Sequence, residues 1–291
     1  MPASIRPICN NLCQTGNIGK QSSEPKATKT FVEQAGILGR IFLKGRHRAV
    51  YQVVILLSDA PSYALHPIAI ANTPFREKFA IPRQPRLAPA VQGRLQLLPP
   101  YDDPKAVAGL EQVSHLWLTF VFHQTLTQAD KPHLQVRPPR LGGNQKLGVF
   151  ASRATHRPNN LGLSVVELVA VEPGVLVVSG LDLLDGTPIV DIRPYVPYAD
   201  QVEEAHNHIA PMPPADIEVR FSPTAKAQAL SAEQRLQQPV MAVIEQCLAQ
   251  DPKPAYQQPG PEREYGVRLW DFNLVWHYPE PHTICVLRLE A

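Results

Sequence analysis

The sequence predicts a mainly β protein, a β-barrel followed by a small α+β domain. Three observations lead there. Short runs rich in Val, Leu, Ile and Phe recur between Pro and Gly punctuation across 62–200, no long amphipathic helix separates them, and after Asp200 a Pro-rich stretch gives way to two helix-like segments. Strands of that length without intervening helices build a sandwich or barrel, not a doubly wound sheet. The absence of any GxGxxG argues in the same way against a Rossmann-type nucleotide site.

In chain order, residues 1–61 mix a polar stretch with a basic apolar one and carry no readable motif. A poorly ordered extension is expected there, the alternative being a basic arm at Arg40, Lys44, Arg46 and Arg48. The longest apolar run, 49–57, is far short of the roughly 20 residues a membrane helix requires, and the polar start has no signal-peptide core. A soluble, cytoplasmic protein is expected.

Across 62–200 the runs HLWLTFVFH, KLGVFASR, LGLSVVELVAV, GVLVVSGLDLL and TPIVDI each read as a strand of the barrel domain. Residues 201–215 read as a linker, and 216–291 as an α+β domain suited to holding RNA. Within it DIEVRF reads as a strand. SPTAKAQALSAEQRLQQ reads as a helix capped by Ser222 with Pro223 in its first turn, and PVMAVIEQCLAQ as a second helix begun by Pro239. YGVRLWDFNLVWHY and TICVLRLE complete it as two strands.

With 291 residues, 44% of them hydrophobic, the chain can bury one sizeable core and a smaller satellite. A net charge of +2 means that any RNA contact must come from local clusters of Lys and Arg rather than an overall field. Cys9, Cys13, Cys247 and Cys285 form no CxxC and have no His at zinc-finger spacing, so neither a disulfide framework nor a metal site is expected.

The densest chemical constellation is SRATHRPNNLGLS at 152–164. Arg153, His156, Arg157, Asn159 and Asn160 crowd a Pro-containing turn between two apolar runs. Pro158 and Gly162 explain a turn but do not call for two arginines within five residues. PRQPRLAP interleaves Arg83 and Arg86 with prolines, which favours a stiff loop, and RPPRLGGNQK brings Arg137, Arg140 and Lys146 to a second basic loop. Together these loops are the best local patch for phosphates.

THRPNNLGLS resembles the RPNxxG(L/M)S signature of the TsaA-like (TrmO) family. Further stretches match in order: TPFREKFAIPRQPRLAP, GLEQVSHLWLTFVFHQT, RPPRLGGNQKLGVFASR, LDLLDGTPIVDIRPYVPYAD and, in the last domain, DPKPAY and DFNLVW. The similarity runs from about Leu65 to the C-terminus, and it departs at Ala69, where the family commonly has Gly.

The resemblance implies a single β-barrel that binds S-adenosylmethionine and usually works as a homodimer. The implied reaction is methylation of the exocyclic amine of threonylcarbamoyladenosine beside the anticodon of threonine tRNA. Carried over residue by residue, the family's cofactor contacts fall on Pro85, Arg86 and Leu87, on His123 and Gln124, on Arg153 and Leu163, and on Ser179, Gly180, Leu181 and Asp182. The residue types suit the ligand: Arg153 can hold a carboxylate bidentately, Asp182 can accept from hydroxyl or ammonium groups, and the leucines supply an apolar wall.

On the substrate side the expected residues are Arg83, Arg140 and Asn159. Arg157 or Arg193 would take the threonyl carboxylate, and Asp251, Lys253 and Tyr256 in DPKPAY would meet the anticodon loop. Asp191, His156 or the substrate's own carboxylate could accept the proton, and no metal is required. Two other functions fit the same residues: a protein that binds S-adenosylmethionine or RNA without catalysis, and a methyltransferase for a small amine.

Overall fold

Alternation of apolar side chains is what closes the first sheet. In the strand His115–Val121 the side chains of Leu116, Leu118 and Phe120 are buried, whereas Trp117 and Thr119 between them are only half-buried on the other face. Each fully buried Leu contributes about 1.5–3 kcal/mol, so the register is strongly specified. The computed structural model describes residues 63–125, 134–138, 146–213, 216–253, 260 and 262–290. Every element named below belongs to the compact unit Leu65–Ala291. The extension expected at 1–61 and the sites expected at Arg140 and Tyr256 lie outside the described residues.

The elements are β1 (Ala69–Asn72), β2 (Gln92–Leu97), α1 (Pro104–Val107), β3 (His115–Val121), β4 (Gln135–Val136), β5 (Leu147–Gly148), β6 (Leu161–Glu172), β7 (Val175–Ser179), β8 (Thr187–Pro194) and α2 (Pro197–Asp200). Six strands close as an antiparallel barrel in the order β1-β2-β7-β6-β3-β8, with Ala69 opposite both Leu97 and Ile189 at the seam. The barrel of the predicted fold class is therefore observed. Ala69, the departure from the family pattern, is fully buried, so its methyl group is absorbed into the barrel core.

Close approach inside the barrel fixes one glycine. A Cβ on Gly93 would lie 2.2 Å from Leu181 Cδ1 and 2.8 Å from the backbone oxygen of Asn72. The side chain can move aside, but the carbonyl belongs to β1 and cannot. Gly93→Ala is expected to cost about 1–3 kcal/mol, read as a melting temperature lowered by several degrees, and an unchanged melt would contradict this packing.

The second half is β9 (Glu218–Phe221), α3 (Pro223–Leu236), α4 (Val240–Ala249), β10 (Tyr265–Leu269), β11 (Phe272–Glu280) and β12 (Thr283–Glu290), with sheet order β10-β11-β12-β9. Ser222 caps α3 by accepting from the Ala225 N–H at 3.0 Å, with Pro223 at the first turn as expected. Ala225, Ala229 and Ala232 form the buried stripe of α3, and Val243, Ile244, Cys247 and Leu248 that of α4. Barrel and sheet share one core. Phe75, fully buried after β1, bridges to Leu269, and the Trp270 N–H donates to the Pro74 carbonyl at 2.7 Å.

Two strand expectations are corrected. KLGVFASR is a strand only over the two residues of β5, and a 3-10 turn follows at Val149–Ala151. The reason lies downstream: the Arg157 guanidinium donates to the carbonyls of Val149 (2.9 Å) and Ser152 (2.8 Å), which curls the segment and takes acceptors a strand ladder would use. YGVRLWDFNLVWHY is two strands, β10 and β11, joined at Trp270 and Asp271, with Trp270 in the left-handed region at φ 47°. A tight turn there normally shows Gly or Asn, so Trp concealed it.

Candidate active site

The outward face of β3 and β6, together with five further segments, lines a cavity of about 1210 Å³. Trp117 and Thr119 of β3 and Leu161 and Leu163 of β6 form one wall, with Phe120 and Phe122 beside them. Period two puts these residues here, because every second side chain of a barrel strand must point outward. The loop 81–85, the turn His123–Thr125, the loop carrying Arg153, the irregular segment after β7, and the end of β8 with the turn of α2 complete the enclosure. That is the spread of segments expected of a small-molecule site: mostly apolar walls with a few convergent polar groups.

Nine of the residues expected from the sequence line this one cavity: Arg83, Pro85, His123, Gln124, Arg153, Arg157, Leu163, Asp182 and Arg193. Arg153 is exposed, and its Nη1 donates to Gln84 Oε1 at 2.5 Å, which orients the guanidinium. Asp182 follows β7 and is densely surrounded by protein, although part of its surface opens to the cavity. Its carboxyl is pushed up to about 6 by loss of water, against the opposing pull of the Ser164 hydroxyl and the field of Arg153. Ser164 Oγ, almost fully buried, donates to Asp182 Oδ1 at 2.7 Å.

Other expected residues are engaged elsewhere. Ser179 Oγ donates to Glu167 at 2.9 Å and Leu181 is fully buried in the barrel core, so only their backbone atoms are available to a ligand. Gly180 has φ 72°, and its carbonyl accepts from the Arg86 N–H at 3.0 Å; a Cβ there would come within 3.2 Å of the Arg86 Cα. Arg86, Leu87, His156, Asn159 and Asp191 do not line the cavity. The Asp191 carboxylate is ion-paired with Arg193, which raises the guanidinium's already high proton affinity. Asp251 and Lys253 lie beyond α4, paired at 2.6 Å, and Asp251 also accepts from the Tyr278 hydroxyl at 2.8 Å.

Several lining groups escaped the sequence reading. Ser164 stood inside the matched LGLS but gave no sign that it would meet Asp182 from a neighbouring strand. Trp117, whose Nε1 donates to Asp200 at 2.9 Å, was concealed in an apolar run, and only strand alternation would have marked it as outward-facing. Among the described residues no group of three or more His, Cys, Asp or Glu is arranged to hold a metal ion. No described helix is long and apolar enough to cross a membrane.

The family model described as the tRNA-methyltransferase O N-terminal domain matches residues 70–201, and that described as the TrmO C-terminal domain matches 214–291. A Pseudomonas aeruginosa protein, provisionally named an S-adenosylmethionine-dependent methyltransferase, RcsF, is 62% identical over 226 residues, covering 78% of this chain and 97% of its own. The tRNA (adenine(37)-N6)-methyltransferase of Escherichia coli is 45% identical over 222 residues, covering 74% and 93%. A crystal structure of TrmO from Pseudomonas aeruginosa superposes with a TM-score of 0.69 at 52% identity, covering 79% of this chain and 99% of that one. Matched in both halves, in fold and in the motifs that build the cavity, this chain belongs to the tRNA-methyltransferase O family.

Proposed function

We propose that the chain transfers a methyl group from S-adenosylmethionine to N6 of threonylcarbamoyladenosine beside the anticodon of threonine tRNA, acting as a homodimer in the cytoplasm. The observation that carries this reading is the meeting of Arg153 and Asp182 with an apolar wall in a single cavity, in a chain of this family. The donor set fits the cofactor. Arg153 suits its carboxylate, Asp182 its ammonium or hydroxyl groups, and Leu163 with Phe120 and Phe122 an adenine face. Pro85, Arg86 and Leu87 shape the loop beside this site, His123 and Gln124 offer ring and amide groups, and Ser179, Gly180 and Leu181 offer backbone.

The cofactor supplies an electrophilic methyl group on a sulfonium. The chain's own contribution is alignment, which is worth about 7–11 kcal/mol when reacting atoms are held in near-attack geometry. A carbamoyl group makes the N6 proton more acidic, which explains a preference for the modified base. Arg157 and Arg193 both lie at the cavity, and although Arg193 is paired with Asp191 and Arg157 Nη1 donates to two backbone carbonyls, the remaining N–H groups of either are suited to the threonyl carboxylate. His156 and Asp191 do not line the cavity, which leaves the substrate's own carboxylate, among the acceptors considered from the sequence, within reach of the reacting amine.

The C-terminal segment that begins at Asp251 is assigned to the anticodon loop. Lys253 is mostly buried against Asp251 and over the Tyr278 ring, so its part there is to hold the segment's shape. Exposed Phe150, Leu163 and Tyr198 at the cavity rim offer the apolar surface that a second copy would cover. The test is methyl transfer by the purified chain to threonine tRNA with and without the threonylcarbamoyl group. Incorporation only into the modified tRNA is expected. Equal incorporation into both overturns the base preference, and cofactor binding with transfer to neither selects the non-catalytic alternative.

A further inference from the structure

The reaction proposed above brings two adenines into one cavity, that of the cofactor and that of the target nucleotide. Leu163, Phe120 and Phe122 offer a face to the first, and one further aromatic surface of the wall, Trp117, has no part assigned to it. Trp117 stands half-buried on the outward side of β3, with Phe120 and Phe122 three and five residues further along the chain. At strand rise that is about 10–16 Å, far enough for a separate ring at each end.

The Trp117 indole is held in one direction. Nε1 donates to Asp200 at 2.9 Å, and the same carboxylate accepts from the Val196 N–H at 2.8 Å, so one side chain ties β3 to the first turn of α2. These two bonds, that of Val196 first, hold the Asp200 carboxyl below its usual range, which keeps it ionised and accepting. Tyr195 packs against the indole with ring centroids 6.0 Å apart at an angle of 42°. The ring is therefore fixed by Asp200 at its N–H and by Tyr195 beside it, while it forms part of the cavity wall. A leucine or valine would supply apolar wall without needing a carboxylate, so the indole and its bond call for a further reason.

Register supplies that reason. Trp117 lies opposite Arg193 of β8, and Thr119, two residues along, lies opposite Leu163 of β6. Side chains opposite one another on a sheet face stand about 4.5–5.5 Å apart. The Arg193 guanidinium gives Nε and Nη2 to Asp191, which leaves Nη1 for a ligand.

We propose that Trp117 is the platform on which the target adenine stacks, and that Asp200 is the positioning residue that holds the indole for it. This rests on the reading above, in which the acceptor is a modified adenosine of tRNA. An aromatic face suits an unpaired base of RNA, and Arg193 beside it suits the carboxylate carried on N6. The cofactor, on the Leu163 side, then meets the base from the adjoining stretch of wall.

The experiment measures by calorimetry the binding of an anticodon stem-loop carrying threonylcarbamoyladenosine and, separately, of S-adenosylhomocysteine. It uses the full chain and its variants, with thermal melts to verify folding. Trp117→Ala is expected to weaken stem-loop binding about 5- to 150-fold. S-adenosylhomocysteine binding should stay within about twofold. The stem-loop should quench indole fluorescence in the unaltered chain and not in Trp117→Phe, a variant that keeps a ring in the wall if Trp117→Ala does not fold. Asp200→Ala should weaken stem-loop binding, and Asp200→Asn, which keeps an oxygen acceptor, should restore most of it. In the Trp117→Phe background Asp200→Ala should add less than about twofold, because phenylalanine has no N–H to hold. Unchanged stem-loop binding in folded Trp117→Ala, or a quench that persists in Trp117→Phe, overturns the platform. So does a loss of S-adenosylhomocysteine binding as large as that of the stem-loop, which would give the indole to the cofactor. A full Asp200→Ala effect in the Trp117→Phe background overturns the positioning role. Failure of the unaltered chain to bind the stem-loop or to methylate tRNA would instead bring down the functional reading on which the inference stands.

Discussion

Arg153→Ala is expected to weaken S-adenosylmethionine binding about 10- to 150-fold, the equivalent of the 1.5–3 kcal/mol that a hydrogen bond to a charged group contributes. The guanidinium is exposed at the cavity and is held in direction by Gln84, so little ordering remains to be done when a carboxylate arrives. Two further variants sharpen the result. Arg153→Lys keeps the charge but loses the fork, and should recover only part of the affinity. Gln84→Ala keeps the fork but frees it, and should lose less than Arg153→Ala. Calorimetry on folded protein provides all three numbers. An unchanged dissociation constant in Arg153→Ala would remove this residue from the cofactor's carboxylate.

Cofactor affinity should fall about tenfold between pH 7 and pH 5, because with a carboxyl at about 6 only about one-tenth of Asp182 is ionised at pH 5. The cofactor carries an ammonium group and a sulfonium, which only the ionised form attracts. Asp182→Asn should bind more weakly at pH 7 and with a flat profile, whereas a profile as steep as that of the unaltered chain would place the titrating group elsewhere. The ligand-free protein should show the mirror image. Burial holds the folded carboxyl above its usual value near 3.8, so between about 4 and 6 the folded state binds more protons than the unfolded one. The Asp182 contribution to stability is therefore lost as pH rises through that window and stays lost above it. The shift corresponds to about 3 kcal/mol if the site were dry, reduced to about 2 by water in the open cavity. Asp182→Asn should accordingly raise the melting temperature of the ligand-free chain at pH 7.5 more than at pH 4, the difference being the Asp182 contribution.

Both effects turn on the burial of Asp182, against which its contact with Ser164 pulls, and that contact was not legible in the sequence. Its two partners lie 18 residues apart, and the antiparallel β6–β7 pairing, in which Glu167 faces Ser179, brings them opposite each other. What was legible is local. Ser222 and Pro223 announce α3 because a cap needs only the residues beside it, and RPNNLGLS announces a turn because its Pro and Gly act on their own backbone. The run KLGVFASR misled because the pull that curls it comes from Arg157, outside the run. Trp270 misled because its positive φ is imposed by the β10–β11 turn and by the bond from its N–H to Pro74. Gln246 and Gln250 read as ordinary helix polar residues, and the bonds they accept from the Ala90 and Arg83 N–H groups depend on how the two halves pack. Motif resemblance reached the cavity's location where pattern could not, but it left open which side chains face inward. For Leu181 and Ser179 the answer was that the fold had already used them.

The most direct test of the central claim is nucleoside mass spectrometry of threonine tRNA from cells with and without this chain. With it, the position beside the anticodon should yield threonylcarbamoyladenosine bearing a methyl group on N6. Without it, that nucleoside should vanish and its unmethylated parent should rise by the same amount, with restoration on re-expression. Methylated nucleoside at an unchanged level in cells lacking the chain would contradict the account.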